Sequence, residues 1–232
     1  MQHLSLVFSF KNEEKNIPLL IDRLEKTFKN INNWSYDYIF VNDCSEDDSE
    51  NILIDLQKKY PITIINMSRT FGVGPCVIAG FRFAKGDAVI YMDTDLQDDP
   101  KYIPEFIDNI KKGFDIVIGV RKNRKAPVIL TAGLKIYDLI FEIIFKKKLS
   151  TYRAPFVAYK KEYVNNLPWY NNDHRYFIPI AINKGAKLIK EFDVSLNKRN
   201  SGKSHYNKYF KVFWGIVELL IFIFRMKTGK YS

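Results

Sequence analysis

The sequence predicts an α/β domain built on a doubly wound, mostly parallel sheet with helices on both faces, followed by amphipathic C-terminal helices. Three observations predict it. Short apolar runs alternate with amphipathic stretches through the first hundred residues, and parallel strands require such crossovers. The polar clusters KNEE, NDCSEDD and DTDLQDD each follow one of those apolar runs, and in open α/β sheets ligands bind beyond the carboxyl ends of the strands. The length of 232 residues suits one core, since single domains commonly reach ~250 residues before dividing.

Residues 4–10, LSLVFSF, read as the first strand. After KNEEKN, Ile17, Leu20, Ile21, Leu24, Phe28 and Ile31 recur at helical spacing with Pro18 in the first turn, the pattern of an amphipathic helix. YDYIFVND reads as a buried strand running into CSEDDSEN, ILIDLQKKY as a helix and ITIINM as a third strand. RTFGVGP reads as a loop, CVIAGFRFAK as a helix, and DAVIYMD as a fourth strand that delivers Asp93 and Asp95. PKYIPEFIDNIKKG reads as a helix opening near proline, and DIVIGVR as a fifth strand.

Beyond that point the chain becomes greasier. Residues 128–148 are apolar except for Lys135, Asp138, Glu142 and a closing basic triplet, and the three charges share one narrow helical stripe. In FKVFWGIVELLIFIFR, Lys211, Glu218 and Arg225 recur every seven residues on one face. Each segment is too short to span a bilayer, which takes ~20 apolar residues. Two readings stand: buried core helices or a dimer seam, or helices lying in a membrane interface beside cations that attract anionic lipid.

The net charge, 36 − 26 = +10, favours anionic partners such as nucleotides, lipid phosphates or nucleic acid. Nucleic acid is not expected, because no known module pattern interleaves aromatic and basic residues. Cys44 and Cys76 have no metal-ligand spacing, so free thiols in a reducing compartment are expected. The N-terminus lacks the basic region and cleavage site of a signal peptide, so the expected location is the cytoplasm.

The chemistry concentrates at the strand ends. Asp93 and Asp95 lie two apart, so in extended geometry their carboxylates point the same way. Like charges so placed call for a cation, and Mg²⁺ or Mn²⁺ is held by one or two carboxylates with phosphates and water completing the shell. Asp43 ends another strand and could accept from a base or ribose, with Lys11 and Glu13 closing the same pocket. Arg69, Gly72 and Gly74 offer donors and close backbone approach to phosphate or sugar oxygens. The alternative for Asp43 and Glu13 is capping of the helices that follow them.

The strings SFKNEEKN, VNDCSEDDS, RTFGVGPCVIAGFRFAKGD, MDTDLQDDP and DIVIGVRKNR together resemble the catalytic domain of family 2 glycosyltransferases, which have the GT-A fold. HRYFIPIAINKGAKLIKEFDVSLNKRNSGKSHY resembles the ending of its polyprenyl-phosphate (dolichyl-phosphate-type) sugar transferase branch. The likeness is collinear over most of residues 4–209. It implies that Phe10, Glu13 and Asp43 hold the nucleoside, that Asp93 and Asp95 hold metal and diphosphate, and that Gln97 lies close to the donor sugar. It implies too that Arg121, Arg124, Arg199 and Lys203 collect donor or acceptor phosphates, unless they form a solvated basic surface.

The resemblance divides the chain into a catalytic domain, 1–205, and an amphipathic membrane-interface helix and tail, 206–232. It implies a metal-dependent, inverting transfer from a nucleotide-sugar, UDP favoured over GDP, to a polyprenyl phosphate. The enzyme would sit peripherally on the inner face of the cell membrane, alone, as a homo-oligomer or with a membrane-protein partner. Two departures bear on this. Relatives carry an acidic residue where this chain reads STYRAPFVAYKK. Its loss would harm attack by a sugar hydroxyl, where general-base help is commonly worth 10²–10⁴-fold, more than attack by a phosphate already charged at pH 7. Many relatives also continue into transmembrane helices, whereas this sequence ends at RMKTGKYS. The alternatives are transfer to a sugar hydroxyl of a cell-surface glycan and a catalytically silent nucleotide-sugar binding module.

Overall fold

The computed structural model describes residues 2–122, 128–152, 154–168, 170, 173–197 and 210–231. Seven strands form one sheet in the order β3-β2-β1-β4-β6-β5-β7. The strands are β1 (Gln2–Phe10), β2 (Trp34–Asn42), β3 (Ile62–Asn66), β4 (Ala88–Tyr91), β5 (Ile116–Lys122), β6 (Val157–Lys160) and β7 (Ile189–Ser195). All run parallel except β6, which is antiparallel to both β4 and β5.

Side-chain alternation along the strands builds a core on each face. Leu6, Phe8, Tyr38 and Phe40 point to one side, where α1 (Ile17–Phe28), α2 (Ser49–Gln57) and α4 (Ile103–Lys111) cover them. Val7, Ile39 and Val41 point to the other, under α3 (Val73–Phe83). The same second core continues into α5 (Val128–Phe145), α7 (Phe177–Asn183) and α8 (Phe210–Lys227). A one-turn helix, α6 (Lys161–Val164), follows β6.

Three details differ from the sequence reading. Ile31 lies beyond the end of α1, which stops at Phe28. Val73, Gly74 and Pro75 belong to α3, because a proline in a first turn has no intrahelical N–H to lose. Strands β6 and β7 were not expected. β6 is four residues long and fully enclosed apart from its end, while β7 leaves most of its side chains partly exposed at the sheet edge.

Each greasy helix turns an acidic side chain, Asp138 on α5 and Glu218 on α8, toward the protein, while Lys135 is exposed. On α5, Asp138 accepts a hydrogen bond from the Tyr152 backbone N–H at 3.2 Å, and Phe141 is buried, while Ile136, Leu139 and Ile143 are exposed. On α8, Glu218 pairs with Arg175 at 2.5 Å and Phe222 stacks on Tyr176 with centroids 4.1 Å apart. Leu220, Ile221 and Phe224 face outward. A helix on the surface of a water-soluble domain has the opposite polarity.

The foot of α8 is tied down at Asp173. Its carboxylate accepts from Tyr231 Oη at 2.6 Å and lies 3.7 Å from Arg225, whose guanidinium sits over the Tyr170 ring. Burial, opposed by Tyr231 and Arg225, lifts Asp173 from its ordinary 3.8 to about 6. The folded protein therefore keeps this proton where the unfolded chain has released it. Asp173's contribution to stability is expected to fall as pH rises from about 4 to about 6. Asp173→Asn should flatten that part of a melting-temperature profile and raise the melting temperature at pH 7.

Candidate active site

Successive strands β1, β2 and β3 run outward in one direction, and β4 returns to the other side of β1. The boundary between β1 and β4 is thus a topological switch point, where loops diverge and leave a crevice at the strands' carboxyl ends. A hollow of about 320 Å³ lies there, lined by Ser9, Phe10, Lys11, Glu13, Asp43, Val73, Cys76, Asp93, Thr94 and Asp95. Six residues singled out from the sequence, Phe10, Lys11, Glu13, Asp43, Asp93 and Asp95, meet in it. A larger open groove of about 550 Å³ beside α4 shares none of these residues.

One side of the hollow is built by hydrogen bonds between loops. Both Asp43 oxygens are engaged, Oδ1 by Phe71 N–H at 2.7 Å and Oδ2 by Gly72 N–H at 3.0 Å. Asp43 thus caps the turn leading into α3, not the helix that follows it in sequence, and presents its edge to the hollow. Gly72 takes φ +86°, a conformation that admits glycine without strain. Lys11 Nζ donates to Thr70 Oγ1 at 2.8 Å, which ties the end of β1 to the same turn. Glu13 accepts from Asn16 Nδ2 at 2.5 Å, while its backbone N–H donates to Ser49 Oγ at 2.8 Å. Arg69 is exposed and stacks on Phe71, 4.8 Å from the ring centroid; it does not line the hollow. Gly72 is not among the lining residues, and Gly74 is buried within α3.

The acidic side is shaped by one loop. Leu96, in the left-handed region at φ +62° and almost wholly buried, pins DTDLQDD to the core. Asp95 Oδ1 accepts from Gln97 N–H at 3.1 Å. Gln97 lies outside the lining, and its carbonyl accepts from Asn197 N–H at 2.9 Å. That bond brings the exit of β7 against this loop. Asp93 accepts from Tyr91 Oη at 3.0 Å and from Arg121 Nη2 at 3.4 Å. Arg121 also forks onto both oxygens of Asp98, Nε at 3.0 Å and Nη2 at 2.6 Å. Arg124, Arg199 and Lys203 lie outside the described residues.

Desolvation pushes the Asp93 carboxyl up to about 6; Asp98 and Asp95 add to the rise and Arg121 opposes it. Asp93 and Asp98 thus share one guanidinium with Asp95 close by, leaving an excess of negative charge beside the hollow. Among the described residues no group of three or more His, Cys, Asp or Glu could hold an ion by itself. Two hard carboxylates with excess negative charge fit a divalent ion that completes its shell with substrate phosphates and water.

Sequence reasoning missed Ser9, Val73, Cys76 and Thr94 in the lining. Burial raises the Cys76 thiol far above its usual range, so it is an inert wall. It also missed Tyr91 and Asp98. Their only signal was adjacency to the Asp-x-Asp pair, which does not say where their side chains go.

The sheet order and the position of the hollow define a GT-A fold. Mannosyl-3-phosphoglycerate synthase from Rubrobacter xylanophilus superimposes with a TM-score of 0.75 at 13% identity, covering 98% of this chain and 75% of that one. Glucosyl-3-phosphoglycerate synthase from Mycobacterium tuberculosis, in complex with Mn²⁺, UDP-glucose and phosphoglyceric acid, gives a TM-score of 0.70 at 14% identity, covering 95% and 79%. Residues 5–167 match the family model "Glycosyl transferase family 2", and the chain belongs to that family.

Among curated proteins it is similar to undecaprenyl-phosphate 4-deoxy-4-formamido-L-arabinose transferases. The one from Photorhabdus laumondii subsp. laumondii is 30% identical over 209 residues, 89% of this chain and 64% of the relative. The one from Pectobacterium carotovorum subsp. carotovorum is 30% identical over 210 residues, 89% and 63%. The chain therefore spans a little under two thirds of the length of these relatives.

Proposed function

We propose that this protein transfers a sugar from a nucleoside diphosphate donor, UDP favoured over GDP, to a polyprenyl phosphate at the cytoplasmic face of the membrane. The observation that carries the reading is the shared hollow at the β1/β4 switch point. There the Asp43 and Glu13 side faces the Asp93 and Asp95 side, in a chain whose relatives use an undecaprenyl phosphate. Phe10, Glu13 and Asp43 would take the nucleoside, and Asp93 and Asp95 a Mg²⁺ or Mn²⁺ ion. When bound, that ion would neutralise the departing diphosphate as a Lewis acid. An acceptor oxygen attacks C1 in line as the bond to the diphosphate breaks, and the anomeric centre inverts. Gln97 would lie toward the sugar. Arg121, Arg124, Arg199 and Lys203 would meet phosphates, for which arginine's planar fork is suited. The segment from Ser150 to Lys161 contains no carboxylate, which favours an acceptor that needs no deprotonation.

The outward apolar stripes of α5 and α8 support a peripheral membrane position. No helix among the described residues is long and apolar enough to cross a membrane. Seven of the exposed large hydrophobic side chains, Ile136, Leu139, Ile143, Ile144, Leu220, Ile221 and Phe224, lie on these two helices. Lys146, Lys148, Lys227 and Lys230 are exposed beside them, the arrangement that binds anionic lipid interfaces. The protein is expected to float with anionic vesicles, and Ile143→Glu with Phe224→Glu should abolish flotation. Self-association without vesicle binding would instead assign these faces to a second copy.

The decisive assay combines a nucleotide-sugar panel, Mg²⁺ or Mn²⁺ and a short polyprenyl phosphate, with product followed by mass. A lipid-linked sugar is expected. No product with any donor, alongside turnover on a glycan hydroxyl, would move the acceptor class. Nucleotide binding without any turnover would make this a binding module.

A further inference from the structure

Arg121 stands at the carboxyl end of β5, and β6 separates that strand from β4. Neighbouring strands lie ~4.8 Å apart, so β4 and β5 stand roughly 10 Å apart, and the guanidinium and the loop carrying Asp93 close that gap between them. A long flexible side chain does not hold such a reach without an anchor. Asp98 is that anchor. Its side chain has no exposed surface, it does not line the hollow, and both of its oxygens are taken by Arg121 in a forked pair at 3.0 and 2.6 Å. The same Nη2 that binds Asp98 reaches Asp93 Oδ2 at 3.4 Å. Tyr91 Oη holds the other Asp93 oxygen.

We propose that Asp98 is a positioning residue for the cation site: it clamps Arg121 across Asp93 and thereby fixes the plane of that carboxylate. The proposal rests on the reading of the hollow as a cation and diphosphate site. It gives Arg121 a structural duty beyond collecting phosphate, and gives Asp98, which touches neither ligand, a part in cation affinity. Partners that orient a metal-binding carboxylate typically contribute 10- to 100-fold to metal affinity.

The test is Mn²⁺ titration of the UDP complex by calorimetry or electron paramagnetic resonance, paired with UDP titration in EDTA. Asp98→Asn is expected to weaken Mn²⁺ binding by about 10-fold or more and to leave UDP affinity in EDTA unchanged, because Asp98 lies outside the lining that Phe10, Glu13 and Asp43 form. Arg121→Gln should weaken Mn²⁺ binding by a similar factor, while the UDP control applies to Asp98→Asn alone, because Arg121 is itself assigned to phosphate. If Asp98 acts through Arg121, the double variant should bind Mn²⁺ no worse than Arg121→Gln alone.

Wild-type Mn²⁺ affinity in Asp98→Asn overturns the proposal, and so does an undiminished further loss when it is added to Arg121→Gln. Should Asp98→Asn fail to fold, because it strands a buried guanidinium, the charge-neutral double variant carries the test, and wild-type Mn²⁺ affinity there overturns the proposal. A wild-type chain that binds no Mn²⁺ with UDP overturns the reading of the hollow and the proposal together. A wild type that binds, with variants that bind equally, overturns the proposal alone.

Discussion

Asp95→Asn is expected to lower kcat for sugar transfer by about 10²- to 10³-fold, since Lewis-acid stabilisation of a departing diphosphate is worth several kcal/mol and 1.36 kcal/mol is tenfold in rate. Asp95 is the sharper choice of the two carboxylates. Asp93 is held by Tyr91 and Arg121, so its loss disturbs a network as well as a ligand. Asp95 is half-buried, and the hydrogen bond it accepts from Gln97 N–H can be accepted equally by an asparagine oxygen. The fold should therefore survive. UDP affinity in EDTA should be retained, while saturation by Mn²⁺ shifts to higher concentration. Full activity in this variant would remove the cation from the acidic side of the hollow and leave the proposed chemistry without its Lewis acid.

Most of what makes that experiment possible was legible in the sequence, for a physical reason. Residues at strand ends inherit their position from the sheet, so once β1, β2 and β4 are recognised as parallel neighbours, Phe10, Asp43 and Asp93 must emerge at one edge. What was not legible depends on longer connections. Arg121 and Asp93 are 28 residues apart and follow strands that are not paired with each other but are joined into one sheet through β6. β6 itself consists of VAYK, too short for a period to declare itself. Arg69 illustrates the opposite failure. Its loop was placed correctly, but a side chain on a turn is aimed by local stacking, here on Phe71. The polar stripes of α5 and α8 were visible as spacing, yet spacing does not say which side faces the protein. Glu218 and Asp138 settle that through their partners Arg175 and Tyr152.

The way α8 is held leads to the second large effect. Phe222 has almost no exposed surface; it stacks on Tyr176 and meets Phe141 at 5.9 Å and Tyr231 at 5.3 Å. Its ring thus joins α8 to α5 and to the segment before α7. Phe222→Ala is expected to cost about 3–5 kcal/mol, the usual range for emptying an aromatic site in a core. At roughly 2–4 °C per kcal/mol for a chain of this size, the melting temperature should drop by roughly 6–20 °C in one cooperative transition. Phe224, two positions along and 68% exposed, supplies the contrast. Phe224→Ala should leave the melting temperature within about the ±0.5 kcal/mol expected of surface changes and weaken vesicle binding instead. If Phe222→Ala left the melting of residues 2–197 untouched, α8 would be a separate anchor hung on the domain, and the boundary near residue 205 would be a physical one. A large shared loss would make α8 part of the enzyme's core, with its outward stripe carrying the core to the lipid.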